Sequence, residues 1–229
     1  MKPSITLAST QTPAGGSLEC ISHDNDIYLY LDRQPICSTR AFEPEMALAR
    51  AGCSRISSYR SPRILLAGLG LGHCLHEVLT LAPPKACIDL SEPIKALVDW
   101  HRNMLGTLYQ SALQDHRLAI QTKSVAAVLK NAHQKYDAII LSSDPAVTST
   151  ASNALRACAA NLNPKGVLCI KSVRENAARI KGILESCRLQ VAIMPVGARP
   201  GARTRTHAII CAAHRTEFLP ATSEQQQPA

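Results

Sequence analysis

From residue 63 onward, short apolar runs alternate with longer stretches of helical spacing. Strands are expected near 63–67, 86–90, 117–121, 136–141, 167–172, 189–195 and 206–212, and helices near 73–81, 93–104, 124–133, 149–161 and 174–186. That order predicts an α/β fold: a Rossmann-like, mainly parallel seven-stranded sheet with helices on both faces, which binds ligands at the carboxyl ends of its strands. The last two strands, separated by a long loop, are expected to form an antiparallel edge. Upstream, residues 17–37 alternate as a β-hairpin does, with strands at 17–21 and 27–31 around a polar turn at 23–26. Tyr28 and Tyr30 then share one strand face. A helix is expected at 44–51. The pattern divides the chain into a flexible N-terminus (1–16), a hairpin-and-helix region (17–60), an α/β domain (61–213) and a disordered tail (214–229) carrying Gln225, Gln226 and Gln227.

Composition narrows the class. The 229 residues are 46% hydrophobic, enough for one core with a small appendage. No apolar run approaches a membrane span, and residues 1–8 hold no continuous apolar segment of the signal-peptide kind. The nine cysteines show no C-x-x-C spacing and read as buried reduced thiols of a cytoplasmic protein. His73 and His76 are too few for a metal site, so no metal is expected. The net charge of +8 raises the question of nucleic acid, but aromatics are only 3%, which leaves few stacking platforms and argues against it. Arg199, Arg203 and Arg205 form one basic cluster in the loop before the last strand.

Chemistry concentrates after the first strand of the α/β domain. Gly68, Gly70 and Gly72 follow it at alternate positions and lead into a helix. Glycines there permit positive φ and let a ligand approach the backbone. His73 stands where G-x-G-x-x-G would have its last glycine, which argues against a plain NAD site. Asp89, about 20 residues on and at the end of the next apolar run, fits an acid that accepts hydrogen bonds from ribose hydroxyls. The alternative is capping of the following helix, a role that suits Ser91 better.

Five stretches carry a family resemblance: Tyr30–Arg40, Gly68–Gly72, Val98–Arg102, Tyr136–Pro145 and Leu162–Leu168. Over about residues 27–212 the chain resembles spermidine synthase-like proteins, relatives of the aminopropyltransferases with a class I S-adenosylmethionine-dependent methyltransferase fold. The resemblance implies a transferase whose co-substrate is S-adenosylmethionine or its decarboxylated form, without a metal, acting on a small-molecule acceptor. It places Gly68, Gly70 and Gly72 at the methionine end of the donor, Asp89 on the ribose and Ser124 at the adenine edge. Asp144, in Ser142-Ser143-Asp144-Pro145, would face the acceptor as the catalytic residue; the alternative, which is compatible with it, is capping of a helix that starts at Pro145. It also implies a homodimer paired through the N-terminal hairpin.

The departures matter as much. Leu141 replaces the first aspartate of the family's D-[ST]-[ST]-D-P, where the base is expected, and Lys123-Ser124 replaces Gly-Asp. Of the acids lining the family's polyamine side only Glu45 is matched, with Thr39-Arg40 standing where an acidic pair is expected. A polycationic acceptor needs an acidic pocket, so spermidine synthesis itself is disfavoured. Two readings remain: a transferase for a different small acceptor, or a non-catalytic member of the fold serving as a binding or regulatory protein.

Overall fold

The computed structural model describes residues 3–106, 108–109, 112–142 and 149–221. Two sheets form its frame. The first is antiparallel, in the order β1 (Ile5–Gln11), β2 (Ser17–His23), β3 (Asp26–Leu31), β4 (Gln34–Ser38). The β2–β3 turn puts Asp24 and Asn25 at φ 52° and 67°, and the β3–β4 turn puts Asp32 and Arg33 at 49° and 65°. Two consecutive left-handed residues match the twist of a tight hairpin, which is why Asp and Asn suit the first turn. The expected flexible segment 1–16 is corrected here, because Ile5–Gln11 pairs with β2 along its length. The tyrosine prediction holds, with ring centroids of Tyr28 and Tyr30 6.3 Å apart.

The second sheet runs β10 (Gln190–Val196), β11 (His207–Ala213), β9 (Leu162–Val173), β8 (Tyr136–Leu141), β5 (Arg63–Ala67), β6 (Cys87–Ser91), β7 (Leu118–Gln121). Strands β5 to β9 are parallel to one another, whereas β11 is antiparallel to both β9 and β10. This is the predicted mainly parallel sheet with an antiparallel edge. The strand order reverses between β5 and β8, so their carboxyl ends form the switch-point crevice of an open α/β sheet.

Helices cover both faces. Ile64, Leu66, Ile88 and Leu90 point to the face covered by α1 (Glu43–Cys53), α2 (His73–Leu81), α3 (Lys95–Asn103) and the first sheet, through Leu48, Leu75, Leu97 and Leu29. Leu65, Ile139 and Ile170 point to the other, covered by α4 (Val125–Lys130), α5 (Ser149–Ala160) and α6 (Arg174–Ser186). Helix α1 lies so close to β8 that a Cβ on Gly52 would stand 2.6 Å from the Ile140 side chain. Trp100 packs against the core under α1–α3. The expected tail begins late, since Thr216–Phe218 forms a one-turn 3-10 helix with Phe218 buried under the Arg55 guanidinium. From residue 222 the expectation falls outside the described residues. Among the described residues, no helix is long and apolar enough to cross a membrane.

Candidate active site

Strand β5 ends in the glycine turn, where Gly68, Gly70 and Gly72 adopt φ of 92°, 52° and 90°. A residue with a Cβ is strained there, and at Gly72 it would also meet the Tyr109 ring at 3.1 Å and His101 at 3.2 Å. The turn is bonded to its surroundings on three sides. Gly68 donates its N–H to the Ser91 carbonyl, Leu69 donates to Glu92 Oε2 at 2.8 Å, and His101 Nε2 meets the Gly70 carbonyl at 2.8 Å. Glu92 Oε1 also accepts from Ile94 N–H at 2.9 Å. Burial raises the Glu92 pKa against the pull of these two backbone donors.

Asp89 occupies a different position from the one expected. Strand β6 runs two residues past it, and the two-residue alternation turns its side chain onto the α4–α6 face. There it accepts from Tyr136 Oη at 2.8 Å, Arg63 Nη2 at 3.0 Å and Gln121 Nε2 at 3.3 Å. Arg63 also stacks over the Tyr136 ring, 4.9 Å from its centroid. Burial and the Asp89 carboxylate together push the Tyr136 phenol well above its usual value. The acid at the strand tip is Glu92. The sequence carried a signal for it, the Glu-Pro pair just ahead of the next helix, but the distance from the glycines favoured Asp89. Ser91 is no cap either; its hydroxyl donates to the Lys123 carbonyl at 2.8 Å.

Ser124 lies just past β7 and is the N-cap of α4, accepting from Ala127 N–H at 3.4 Å. Leu141, at the β8 tip, is buried in the core under α4–α6, so no carboxylate stands at that position. Asp144 lies outside the described residues.

On the other side of the β8 tip stands a buried ion pair that sequence reasoning did not assemble. Ile170 pairs with Leu141, which places Lys171 one residue beyond that tip on the α1 face. Its Nζ donates to Glu45 Oε1 of α1 at 2.5 Å, with side-chain exposures of 9% and 8%. Burial pulls the Lys171 pKa down, Glu45 and the neighbouring thiols more than compensate, and the net direction is up. The ammonium therefore stays charged and is no base. Glu45 Oε2 is buried with no hydrogen-bond donor among the described residues. Near this pair, Cys37 of β4 sits where a Cβ on Gly70 would meet its Sγ at 3.6 Å, and His73 bridges Tyr109 Oη at 2.5 Å and the Ser38 carbonyl at 3.3 Å.

Two hollows adjoin this framework. One of about 440 Å³ lies between the start of α2 and residues 101–114, lined by Leu69, Gly72, His101 and Tyr109. A wider groove of about 920 Å³ runs between α1 and the β10–β11 loop and carries Arg50, Arg55, Arg199 and Arg205. The first borders the glycine turn that follows β5, whereas the second is lined by neither that turn nor Lys171. No group of metal-ligating side chains occurs among the described residues.

Residues 45–197 match the spermine/spermidine synthase domain, a span from Glu45 to the end of β10 that holds both the glycine turn and Lys171. The chain belongs to that family. Spermidine synthase from Thermotoga maritima shares its fold, with a TM-score of 0.73 at 17% identity over 94% of this chain and 76% of that one. A spermidine synthase in complex with the transition state analogue AdoDATO aligns with a TM-score of 0.72 at 16% identity, over 94% of this chain and 75% of that one. No curated protein matches the chain in sequence. The family and these neighbours are transferases, in line with the class expected from the sequence.

Proposed function

We propose that this chain is a transferase that binds a sulfonium nucleoside, S-adenosylmethionine or its decarboxylated form, and passes one sulfonium substituent to a small acceptor. The carrying observation is the glycine turn at the switch point, with its backbone tied to Glu92. Membership of the spermine/spermidine synthase family supports the decarboxylated donor. Gly68, Gly70 and Gly72 would lie against the donor's aliphatic arm. A carboxylate accepts about four hydrogen bonds, so Glu92 keeps lone pairs for the ribose hydroxyls beyond its two backbone donors. It takes the role that the sequence had assigned to Asp89. The Ser124 hydroxyl, which accepts in the cap, still has its proton to donate to the adenine edge.

The reaction asks little of acid–base groups. The acceptor's lone pair attacks the carbon bonded to sulfur, the C–S bond breaks, and its electron pair returns to sulfur to give a neutral thioether. The acceptor then loses one proton, to water or to a carboxylate; Asp144 is the proposed carboxylate. Alignment supplies most of the rate in such a step. The sulfonium loses its charge along the way, so a site of low net charge suits it.

Calorimetric titration with 5′-methylthioadenosine tests the reading directly, because this thioether is the nucleoside product of aminopropyl transfer. Saturable binding that Glu92→Gln weakens at least tenfold supports it. Absence of binding would overturn it and favour the non-catalytic relative.

A further inference from the structure

The Glu45–Lys171 pair constrains the acceptor, an inference that rests on the transferase reading above. The pair lies one residue past the β8 tip, on the sheet face that α1 covers. Lys171 already neutralises Glu45, so the pair offers no net negative charge to a cation. Yet one carboxylate oxygen, Oε2, is buried without a donor among the described residues. A buried acceptor left unpaired is costly, and a ligand that supplies the missing hydrogen bond relieves that cost. A neutral O–H or N–H does so without bringing a second positive charge beside Lys171. A second ammonium would meet the Lys171 Nζ at close range, in surroundings of low dielectric where like charges repel strongly. His73, the basic side chain of α2 that feels both Glu45 and Lys171, offers it no compensation.

We propose that Glu45 Oε2 is the acceptor-recognition atom, that it takes a hydrogen bond from an uncharged donor at the far end of a monoamine, and that Lys171 excludes diamines.

Two probes of equal length separate these possibilities: 4-aminobutan-1-ol, with a hydroxyl at the far end, and 1,4-diaminobutane, with an ammonium. Each is titrated into the protein saturated with 5′-methylthioadenosine. The expected result is that the amino alcohol binds at least tenfold more tightly than the diamine. In Lys171→Met, which keeps the side-chain bulk and frees the Glu45 charge, that order reverses. Equal or tighter diamine binding by the unaltered protein overturns the proposal and needs no variant, so a folding defect in Lys171→Met cannot obscure it. Binding of neither probe to the nucleoside-loaded protein overturns it as well, while leaving the donor site standing. Failure of 5′-methylthioadenosine itself to bind removes both readings together.

Discussion

Asp89 and Glu92 lie three positions apart, yet they belong to different parts of the molecule. Asp89 sits inside β6, where a strand side chain must lie on one sheet face or the other, and its carboxylate is filled by Tyr136, Arg63 and Gln121. Glu92 sits beyond the last paired residue, and among the described residues its carboxylate accepts only from backbone, the N–H groups of Leu69 and Ile94. Glu45, across the β8 tip, has an oxygen without a donor among the described residues. An acid saturated by side chains of neighbouring strands serves the fold. An acid at the strand tips, bonded to backbone or short of donors among the described residues, is the kind proposed above to serve a ligand. Distance along the chain from a glycine motif does not tell the two apart, whereas the place where the strand ends does.

The largest effect expected from this contrast is at Glu92. Truncation in Glu92→Ala removes both backbone bonds and any ribose contact. Hydrogen bonds to a charged group contribute about 1.5–3 kcal/mol each, so 5′-methylthioadenosine affinity should fall about a hundredfold. Calorimetry on the folded variant checks this, and affinity within threefold of the parent would return the ribose role to another residue.

Asp89→Ala should behave in the opposite way. Three donors lose their acceptor in a half-buried site, which destabilises the fold by about 2–4 kcal/mol. Ligand affinity should stay within about threefold. Denaturant melts paired with the same titration test both halves, and a stable variant that no longer binds would erase the distinction between the two acids.

The architecture was legible because its signals are local. The apolar runs from 63 to 213 are short and punctuated, and the observed helices α2 and α6 span the residues expected. The misses have physical causes. Strand β1 (Ile5–Gln11) reads as polar because it is a mostly exposed edge strand, with Ile5 59% and Leu7 42% exposed, so little alternation marks it. Asp89 was misplaced because its position in the strand depends on how far β6 pairs with β5 and β7. Lys171 was invisible as a site residue, since an isolated lysine in Leu168-Cys169-Ile170-Lys171 signals nothing until α1 brings Glu45 to it across 126 positions.

Within the glycine turn, Gly72 and Gly70 offer a finer contrast. Gly72→Ala combines positive φ with contacts at 3.1 and 3.2 Å to Tyr109 and His101, two rings that line one hollow. A loss of about 2–3 kcal/mol is expected. Gly70→Ala adopts the milder φ of 52° and meets only Cys37 Sγ at 3.6 Å, so about 1 kcal/mol is expected. Thermal melts rank the two, and a reversed order would mean that the hollow beside Gly72 yields more easily than the turn itself.

The smallest and most graded effect is with pH. Burial lowers the pKa of His73 and of His101 below the ordinary 6.5. For His73, Glu45 and the Ser38 carbonyl act against that shift, while Lys171 and His76 add to it; for His101 the Gly70 carbonyl opposes and His73 adds. Near and below pH 6.5 the unfolded chain then binds more protons than the folded one, so stability rises with pH through that window. The contribution is complete above 6.5 and is lost as pH falls through the lowered folded values. Glu92 works the other way and lower down: its raised pKa returns stability as pH drops toward the ordinary 4.5. The melting temperature should therefore fall on acidification from 7 and then flatten. His101→Gln retains an N–H for the Gly70 carbonyl but cannot take up a proton, so its melting profile should slope less between pH 7 and 5.5 than that of the parent. An unchanged slope would show that His101 is as open to protonation in the fold as outside it, and that the turn is less tightly closed over His101 than the 2.8 Å bond implies.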